Sequence, residues 1–504
     1  MSKGNAKEVT VSRLNQNTII VAGVLQVSES NGKQSFYVEG IRQYLSNELG
    51  FYKVAITPTE YVFIKNNHGI IREVTMEQIR SAFRDALEKI GDIRFEFEGR
   101  EQTIINRIMV EQYVRSIGAV LGDKHLQLLE VNTTPILRDT KDRCLLPYKE
   151  RIVEITKDGV RTFSYELFNE YLVWEKQIID RVFEPSVGFD CNFKQFTENV
   201  MNKDDKRLNA LKTATGYLLH NHSSGMNNQA VVLYDEAVTD SDTPMGGSGK
   251  GVFAEAIRQI RIQAIVDGKS LKFDSPFAFQ QVERDTQVVF IDETVKGFDF
   301  SRLFSSLSTG LKVEKKGQDA FTFKKDESPK FMIASNTIMA GTGTSTERRQ
   351  FLIEFSDHYS KDGDSLAIVK EHGCEFYSEW DELEWQKFDN YMVRCVYQYM
   401  VNGLMKTESI NVSMSRLIQT TSREFYHWLY DADQDGRLKL GEFYNRSDLY
   451  KDLINSRYEG EDDVVSKKLF AKWLKAYADS RGWVHLDSRS SQGDRDRLSS
   501  FEQT

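Results

Sequence analysis

The chain has little cysteine and no long apolar run. Its four cysteines, Cys144, Cys191, Cys374 and Cys395, lie scattered through 504 residues. None has a partner at metal-ligand or disulfide-framework spacing, which argues against a zinc site or a disulfide scaffold and fits a reducing compartment. No stretch approaches the ~18 apolar residues that a membrane-spanning helix requires. Thr18 to Val27 is too short, and too far behind a polar start, to read as a signal peptide. Basic excess is also missing. The chain holds 66 Lys and Arg against 75 Asp and Glu, a net charge of −9, which disfavours nonspecific coating of nucleic acid but leaves room for a local basic channel. No internal repeat is visible. What is present is 40% apolar and 12% aromatic residues, enough for several well-formed cores and too many for a disordered chain.

Two motifs carry the chemistry. Gly246-Gly247-Ser248-Gly249-Lys250-Gly251 is a glycine-rich turn ending in Lys, which can wrap backbone N–H groups around phosphates while the ammonium reaches the terminal ones. It departs from the G-x-x-x-x-G-K-[ST] pattern at both ends. Pro244 occupies the first glycine position, and Gly251 stands where a metal-binding hydroxyl is expected. About ten residues, Asp235 to Met245, separate the turn from the strand before it. Its flanks support it nonetheless: Ala230 to Tyr234 reads as a buried strand, and Phe253, Ala256, Ile257, Ile260 and Ala264 recur at helical spacing. Val288-Val289-Phe290-Ile291-Asp292-Glu293 is the second motif. At the end of a buried strand, Asp292 would hold Mg²⁺ and Glu293 would orient and deprotonate an attacking water.

Three further features follow. Phe331 to Asn336 is an apolar strand ending in Asn336, which can hydrogen-bond an attacking water or a γ-phosphate, although a strand-end Asn also commonly opens a turn. Glu347-Arg348-Arg349 precedes the strand Phe351 to Phe355. Arginines so placed can reach a neighbouring subunit's γ-phosphate, an effect worth roughly 10³–10⁵ in rate; an ordinary Arg pair makes a surface salt bridge. Lys312 to Asp319 reads as a hairpin carrying Lys312, Lys315 and Lys316 near its tip.

In this order the elements resemble superfamily 3 helicases, ring-forming AAA+ ATPases of viruses, phages and mobile elements. The similarity is closest to the helicase part of phage and plasmid primase-helicases, including the poxvirus primase-helicase type. The stretches that carry it are Gly216 to His220, the glycine loop, the Asp-Glu strand, Thr309-Gly310-Leu311, Ser328-Pro329-Lys330 with the strand to Asn336, and the Arg348-Arg349 segment, with Val173 to Ile179 and Trp380 to Asn390 outside them. The resemblance implies ATP as substrate with Mg²⁺, phosphate binding by Gly246 to Gly251, metal binding by Asp292, catalysis by Glu293 with Asn336 as sensor, and Arg348 or Arg349 as the trans-acting finger. Lys312, Lys315 and Lys316 would follow DNA in the ring channel. It also implies single-stranded and forked DNA as partners, a homo-hexamer, a separate primase or polymerase, and a location in the cytoplasm, that of the bacterial host for a phage-encoded chain.

The expected fold is therefore an α/β P-loop (AAA+-like) ATPase core with an N-terminal α+β and helical region and a C-terminal helical or winged-helix-like domain. The divisions expected are a flexible start (1–15), an α+β accessory domain (16–110), a helical region (111–205) with Leu167, Tyr171, Trp174 and Ile178 on one face, the ATPase core (206–360), a helical segment (361–425), a C-terminal domain (426–486) and a polar tail (487–504). Within the C-terminal domain, Asp431 to Glu442 meets the side-chain pattern of an EF-hand loop, with Asp431, Asp433, Asp435, Arg437 and Glu442 as candidate Ca²⁺ ligands. The alternative is an acidic turn between helices, since such hands work in pairs. Two other functions fit the same sequence. One is an AAA+ remodeller that moves protein, and the other is an origin-binding scaffold with a degenerate ATP site and a possible Ca²⁺ response.

Overall fold

The computed structural model describes residues 11–503 except 16–17, 29–32, 58–59, 98–99, 169–170, 224–227, 237–246, 296, 318–319, 337–343, 362, 365, 408–416, 419, 436, 440–441, 459–464, 482 and 490–496. The chain divides into two units, one formed by residues 1–137, 146–153 and 162–181, the other by 138–145, 154–161 and 182–504.

In the first unit a four-stranded antiparallel meander runs through Val11–Asn15, Thr18–Val21, Leu25–Ser28 and Gln34–Phe36. A five-stranded sheet has the order Val131–Asn132, Phe51–Thr57, Glu60–Asn67, Ile70–Glu73, Val173–Trp174. Helix Met76–Ile90 starts on a reciprocal capping box between Thr75 and Gln78, which satisfies two N–H groups at the helix start. It buries Ile79, Phe83 and Leu87, one residue per turn, and Phe83 meets Tyr113 of helix Asn106–Val120 edge-on at 5.2 Å.

The second unit is built on a parallel sheet. Its strands are β1 (Ala230–Asp235), β2 (Gln263–Asp267), β3 (Val288–Thr294), β4 (Lys330–Ser335) and β5 (Gln350–Phe355), in the order β2-β3-β4-β1-β5. Val231, Val232, Val289, Ile291, Phe331 and Ile333 are fully buried. A parallel sheet covered on both faces explains why its strands read as unbroken apolar runs. Helices around it are α1 (Asn192–Val200), α2 (Asp205–Leu219), α3 (Lys250–Arg258) and α4 (Glu382–Asn402). At Gly216 the backbone of α2 comes so close to α4 that an added Cβ would lie 2.2 Å from the Cys395 carbonyl oxygen.

The carboxyl-terminal part combines α5 (Arg423–Gln434), β6 (Phe443–Asn445), α6 (Arg446–Arg457), α7 (Lys467–Arg481), β7 (Trp483–Arg489) and β8 (Arg497–Gln503). The three strands form an antiparallel sheet ordered β6-β8-β7. Phe425, Trp428, Phe470, Trp473 and Leu474 fill its core. Helix, strand and two helices are thus followed by a strand pair that closes on the first strand.

Four expectations need correction. Residues 1–10 lie outside the described residues, but Val11–Asn15 is a strand paired to Thr18–Val21 rather than a flexible start. Segment 111–205 is mixed rather than dominated by helix: Asn106–Val120 and Asn192–Val200 are helices, but Cys144–Pro147, Arg151–Thr156 and Gly159–Ser164 are strands, Leu167 lies in a 3₁₀ turn and Trp174 in a strand. Lys157-Asp158 is the two-residue turn joining Arg151–Thr156 to Gly159–Ser164, whose β-branched residues favour pairing as strands. Ala264 belongs to β2, because α3 ends at Arg258. Residues 487–489 and 497–503 belong to β7 and β8 instead of a tail, and 490–496 lie outside the described residues.

One buried ion pair ties the start of the second unit to its sheet. Asp139 accepts from Arg261 Nη2 at 2.8 Å, from the Leu145 N–H at 2.8 Å and from the Asn221 N–H at 2.7 Å. Arg261 also donates to the Leu219 carbonyl at 2.6 Å. Asp139→Ala would strand the guanidinium in the interior, a loss of about 3–5 kcal/mol. A marked fall in the thermal unfolding midpoint is expected, and a smaller one for Asp139→Asn; equal midpoints in all three proteins would contradict this account.

Candidate functional site

The carboxyl ends of β1, β3 and β4 gather most of the residues singled out in the sequence. After β1 the chain reaches a turn with Gly247 at φ +103° and Gly249 at φ +99°, a region open to glycine and strained for other residues. Gly249 is also confined sterically, because an added Cβ would fall 2.6 Å from the Phe196 ring of α1. Helix α3 begins at the next residue, Lys250, so the free N–H groups of its first turn and its positive dipole end face the turn. The Lys250 ammonium rests 2.5 Å from Asp235 Oδ1 at the end of β1 and 3.3 Å from Ser248 Oγ. Gly251 is exposed, with open space where a Cβ would stand. Gly246 lies outside the described residues.

Two strands away, β3 ends on Asp292-Glu293-Thr294. Its pairing with β4 slips between Ile291 and Thr294, and Glu293 adopts φ +51°, so a bulge breaks the alternation of faces where the two carboxylates emerge. Burial raises the Asp292 carboxyl above the usual range; Glu293 raises it further and Lys250 opposes the change. Asp292 makes no ion pair among the described residues. Glu293 is exposed and paired with Lys269, just beyond β2. Between the two motifs, β4 ends at Ser335, whose hydroxyl accepts from Thr294 at 2.7 Å, and half-buried Asn336 follows.

The two arginines differ. Arg349 donates to the Ser345 carbonyl at 3.1 Å, lies 3.3 Å from Ser308 Oγ and stacks 4.6 Å over the Phe304 ring. Arg348 is exposed and makes no such contact among the described residues. Both sit at the amino end of β5, on the opposite edge of the sheet from Lys250. The lysines differ too. Strands Lys312–Val313 and Phe321–Thr322 pair as the expected hairpin. Lys315, 12% exposed, is paired with Glu283; Lys312 is engaged by Glu314 at 2.5 Å; Lys316 stands exposed in the turn.

In the EF-hand-like stretch, α5 continues as helix through Gln434, and Asp431 is paired with Arg457. Arg437 bonds Asp452 at 2.7 Å and lies 3.4 Å from Asp435, while Glu442 accepts from the Tyr444 hydroxyl at 3.1 Å. The Asp433 side chain lies outside the described residues. Among the described residues no three His, Cys, Asp or Glu side chains converge as a metal site.

Sequence reasoning missed Asp235, Lys269 and Phe196. Asp235 had a usable signal, since it ends an apolar strand as Asp292 does; Lys269 and Phe196 are brought in only by the fold.

A family of unknown function, DUF5906, matches residues 243–349, a span running from beside the glycine turn to Arg349. No functionally curated protein matches. Among solved structures, the chain is similar to the apo structure of the NrS-1 C-terminal region (305–718), at 11% identity and TM-score 0.39, covering 91% of this chain and 97% of that one. An A-form apo structure of the same region gives 10% identity and TM-score 0.41, covering 91% and 98%.

The two glycines flanking Lys250 should respond differently. Gly249→Ala meets both the Phe196 ring and an unfavourable φ, so a lowered unfolding midpoint is expected. Gly251→Ser enters open space, so the midpoint should hold. Equal tolerance at both positions in thermal melts would refute this placement of the turn.

Proposed function

We propose that the chain is an ATP-dependent, ring-forming DNA helicase of the superfamily 3 type, acting in replication of a phage or other mobile element. The observation that carries this reading is the strand order. With β4 hydrogen-bonded between β1 and β3, the glycine turn, Asn336 and the Asp292-Glu293 pair lie side by side at one sheet edge, which supports reading them as phosphate-binding turn, sensor and acidic pair of an ATPase.

In this reading the Gly247 to Gly251 backbone and the amino end of α3 hold the phosphates, and Lys250 exchanges Asp235 for the terminal phosphate. Asp292, at a strand end and in no ion pair among the described residues, would hold Mg²⁺, which would neutralise phosphate charge; Gly251 offers it no hydroxyl. Glu293 takes the proton of the attacking water once it leaves Lys269, and Asn336 orients that water. Arg348 is the arginine available to a neighbouring subunit's nucleotide, since Arg349 is held within its own subunit. Lys316 is the hairpin lysine free to follow a DNA backbone. On the carboxyl-terminal part, read as a winged helix, Lys468, Lys472 and Lys475 form an exposed row along α7 suited to duplex DNA.

The test is ATP hydrolysis with and without single-stranded DNA. Lys250→Ala and Glu293→Gln should reduce turnover to background. Lys316→Ala should abolish stimulation by DNA and spare basal turnover, whereas Lys315→Ala should do less. Arg348→Ala should cost roughly 10³ in rate, partly recovered in mixed rings with Lys250→Ala subunits. Turnover indifferent to DNA would favour a protein remodeller, and full activity in Glu293→Gln would remove the assigned base.

A further inference from the structure

At the amino edge of the same sheet lies a cavity of about 550 Å³, formed wholly within the second unit. Its charge is one-sided. Lys141, Lys157, Lys330, Arg348 and Lys406 line it, against the single carboxylate of Asp142. Lys330, the first residue of β4, is 3% exposed. Its ammonium sits 4.0 Å over the Tyr217 ring and makes no ion pair among the described residues. A cation–π contact offsets only part of the cost of burying an ammonium ion, so this group lacks the counter-charge that buried lysines ordinarily require. The walls add aromatic surface from Tyr217, Tyr399, His220 and His222. His220 donates through Nε2 to the Thr140 carbonyl at 2.7 Å, while its Nδ1 has no protein partner among the described residues.

The size suits a small ligand, since such sites span about 300–1,000 Å³. The cavity is separate from the Lys250 site, because the length of β4, about 20 Å for six residues, runs between the two edges. We propose that it is a second anion site, which takes the phosphate groups of an oligophosphate carried either by a free nucleotide or by a nucleic-acid strand. The ligand supplies the charge that Lys330 lacks, and the exposed lysines at the mouth hold its outer phosphates.

Protonation follows the same logic. Burial lowers Lys330 to about 7, with Asp139 opposing. The groups facing it are His220 and His222, both held below their ordinary value chiefly by burial, with Lys141, Lys157, Arg348 and Lys406 around and Asp142 opposite. Since the folded value lies below the unfolded one, the unfolded chain binds more protons between about pH 7 and the ordinary lysine range. Folding stability from this group therefore rises with pH across that window. An anion beside Lys330 raises its value, so binding at pH 8 takes up a proton.

Calorimetric titration of the full chain with inorganic tripolyphosphate at pH 8, without metal, tests the proposal and keeps it separate from the helicase reading. Two sites per chain are expected. Lys250→Ala should remove one. Lys330→Met should remove the other together with its proton uptake, and Lys141→Ser/Lys406→Ser, which alters only exposed side chains, should weaken it at least about tenfold. In Lys250→Ala protein, displacement of tripolyphosphate by a dT oligonucleotide would identify strand phosphates as the source, and resistance to displacement would identify free oligophosphates. Binding abolished by Lys250→Ala and unchanged in both cavity variants would overturn the second site while leaving the first. A single site that survives Lys250→Ala and disappears in Lys330→Met would support the second site and count against the helicase reading.

Discussion

The insertion of β4 between β1 and β3 is the constraint on which both edges of the second unit depend. Neighbouring strands lie ~4.8 Å apart, so one intervening strand sets the spacing between the glycine turn and the acidic pair and puts Asn336 in the gap. The same strand delivers Lys330 to the opposite edge. A slip of one residue in its pairing would turn Phe331 and Ile333 from one face to the other. The flanking Thr294–Ser335 hydroxyl bond and the bulge at Asp292-Glu293 mark where regular pairing of the two strands ends.

Buried charge is handled in two contrasting ways around this sheet. Asp139 and Arg261 satisfy each other and draw in backbone groups on both sides, which gives the pair a positional role at the cost of desolvating two ions. Lys330 has an aromatic ring in place of a carboxylate. The first arrangement is complete within the chain, and the second leaves an unbalanced charge beside a cavity. Lys250 falls between these extremes. It is held by an intrachain carboxylate, Asp235, that an anionic ligand could replace.

Much of the architecture was legible in the sequence because parallel strands buried on both faces appear as continuous apolar runs: Ala230 to Tyr234, Val288 to Ile291 and Phe331 to Ala334 all fall within strands. The order of strands within the sheet was not legible, since chain order does not encode lateral order. Nor were the partners of long side chains. Arg348 and Arg349, or Lys315 and Lys316, are equivalent as letters and are separated only by where Ser308, Phe304 and Glu283 happen to lie. The strands from Cys144 to Ser164 and the polar strands after Trp483 were misread because the helical spacing at Leu167 to Ile178 was extended over its whole segment in one case, and because low apolar content outweighed cross-strand pairing in the other.

The ring of Phe196 that lies under Gly249 is also part of a longer aromatic chain. It stacks on Tyr359 at 5.7 Å and meets Phe376 edge-on at 5.9 Å; Phe376 contacts Trp380 at 5.3 Å, and Trp380 contacts Trp385 at 4.9 Å. Close-packed rings transmit small displacements because they have few voids in which to absorb them. The chain thus connects the turn beside Lys250 to two indoles near the start of α4, so that rearrangement of that turn is registered as a change in intrinsic ultraviolet emission, without any added label.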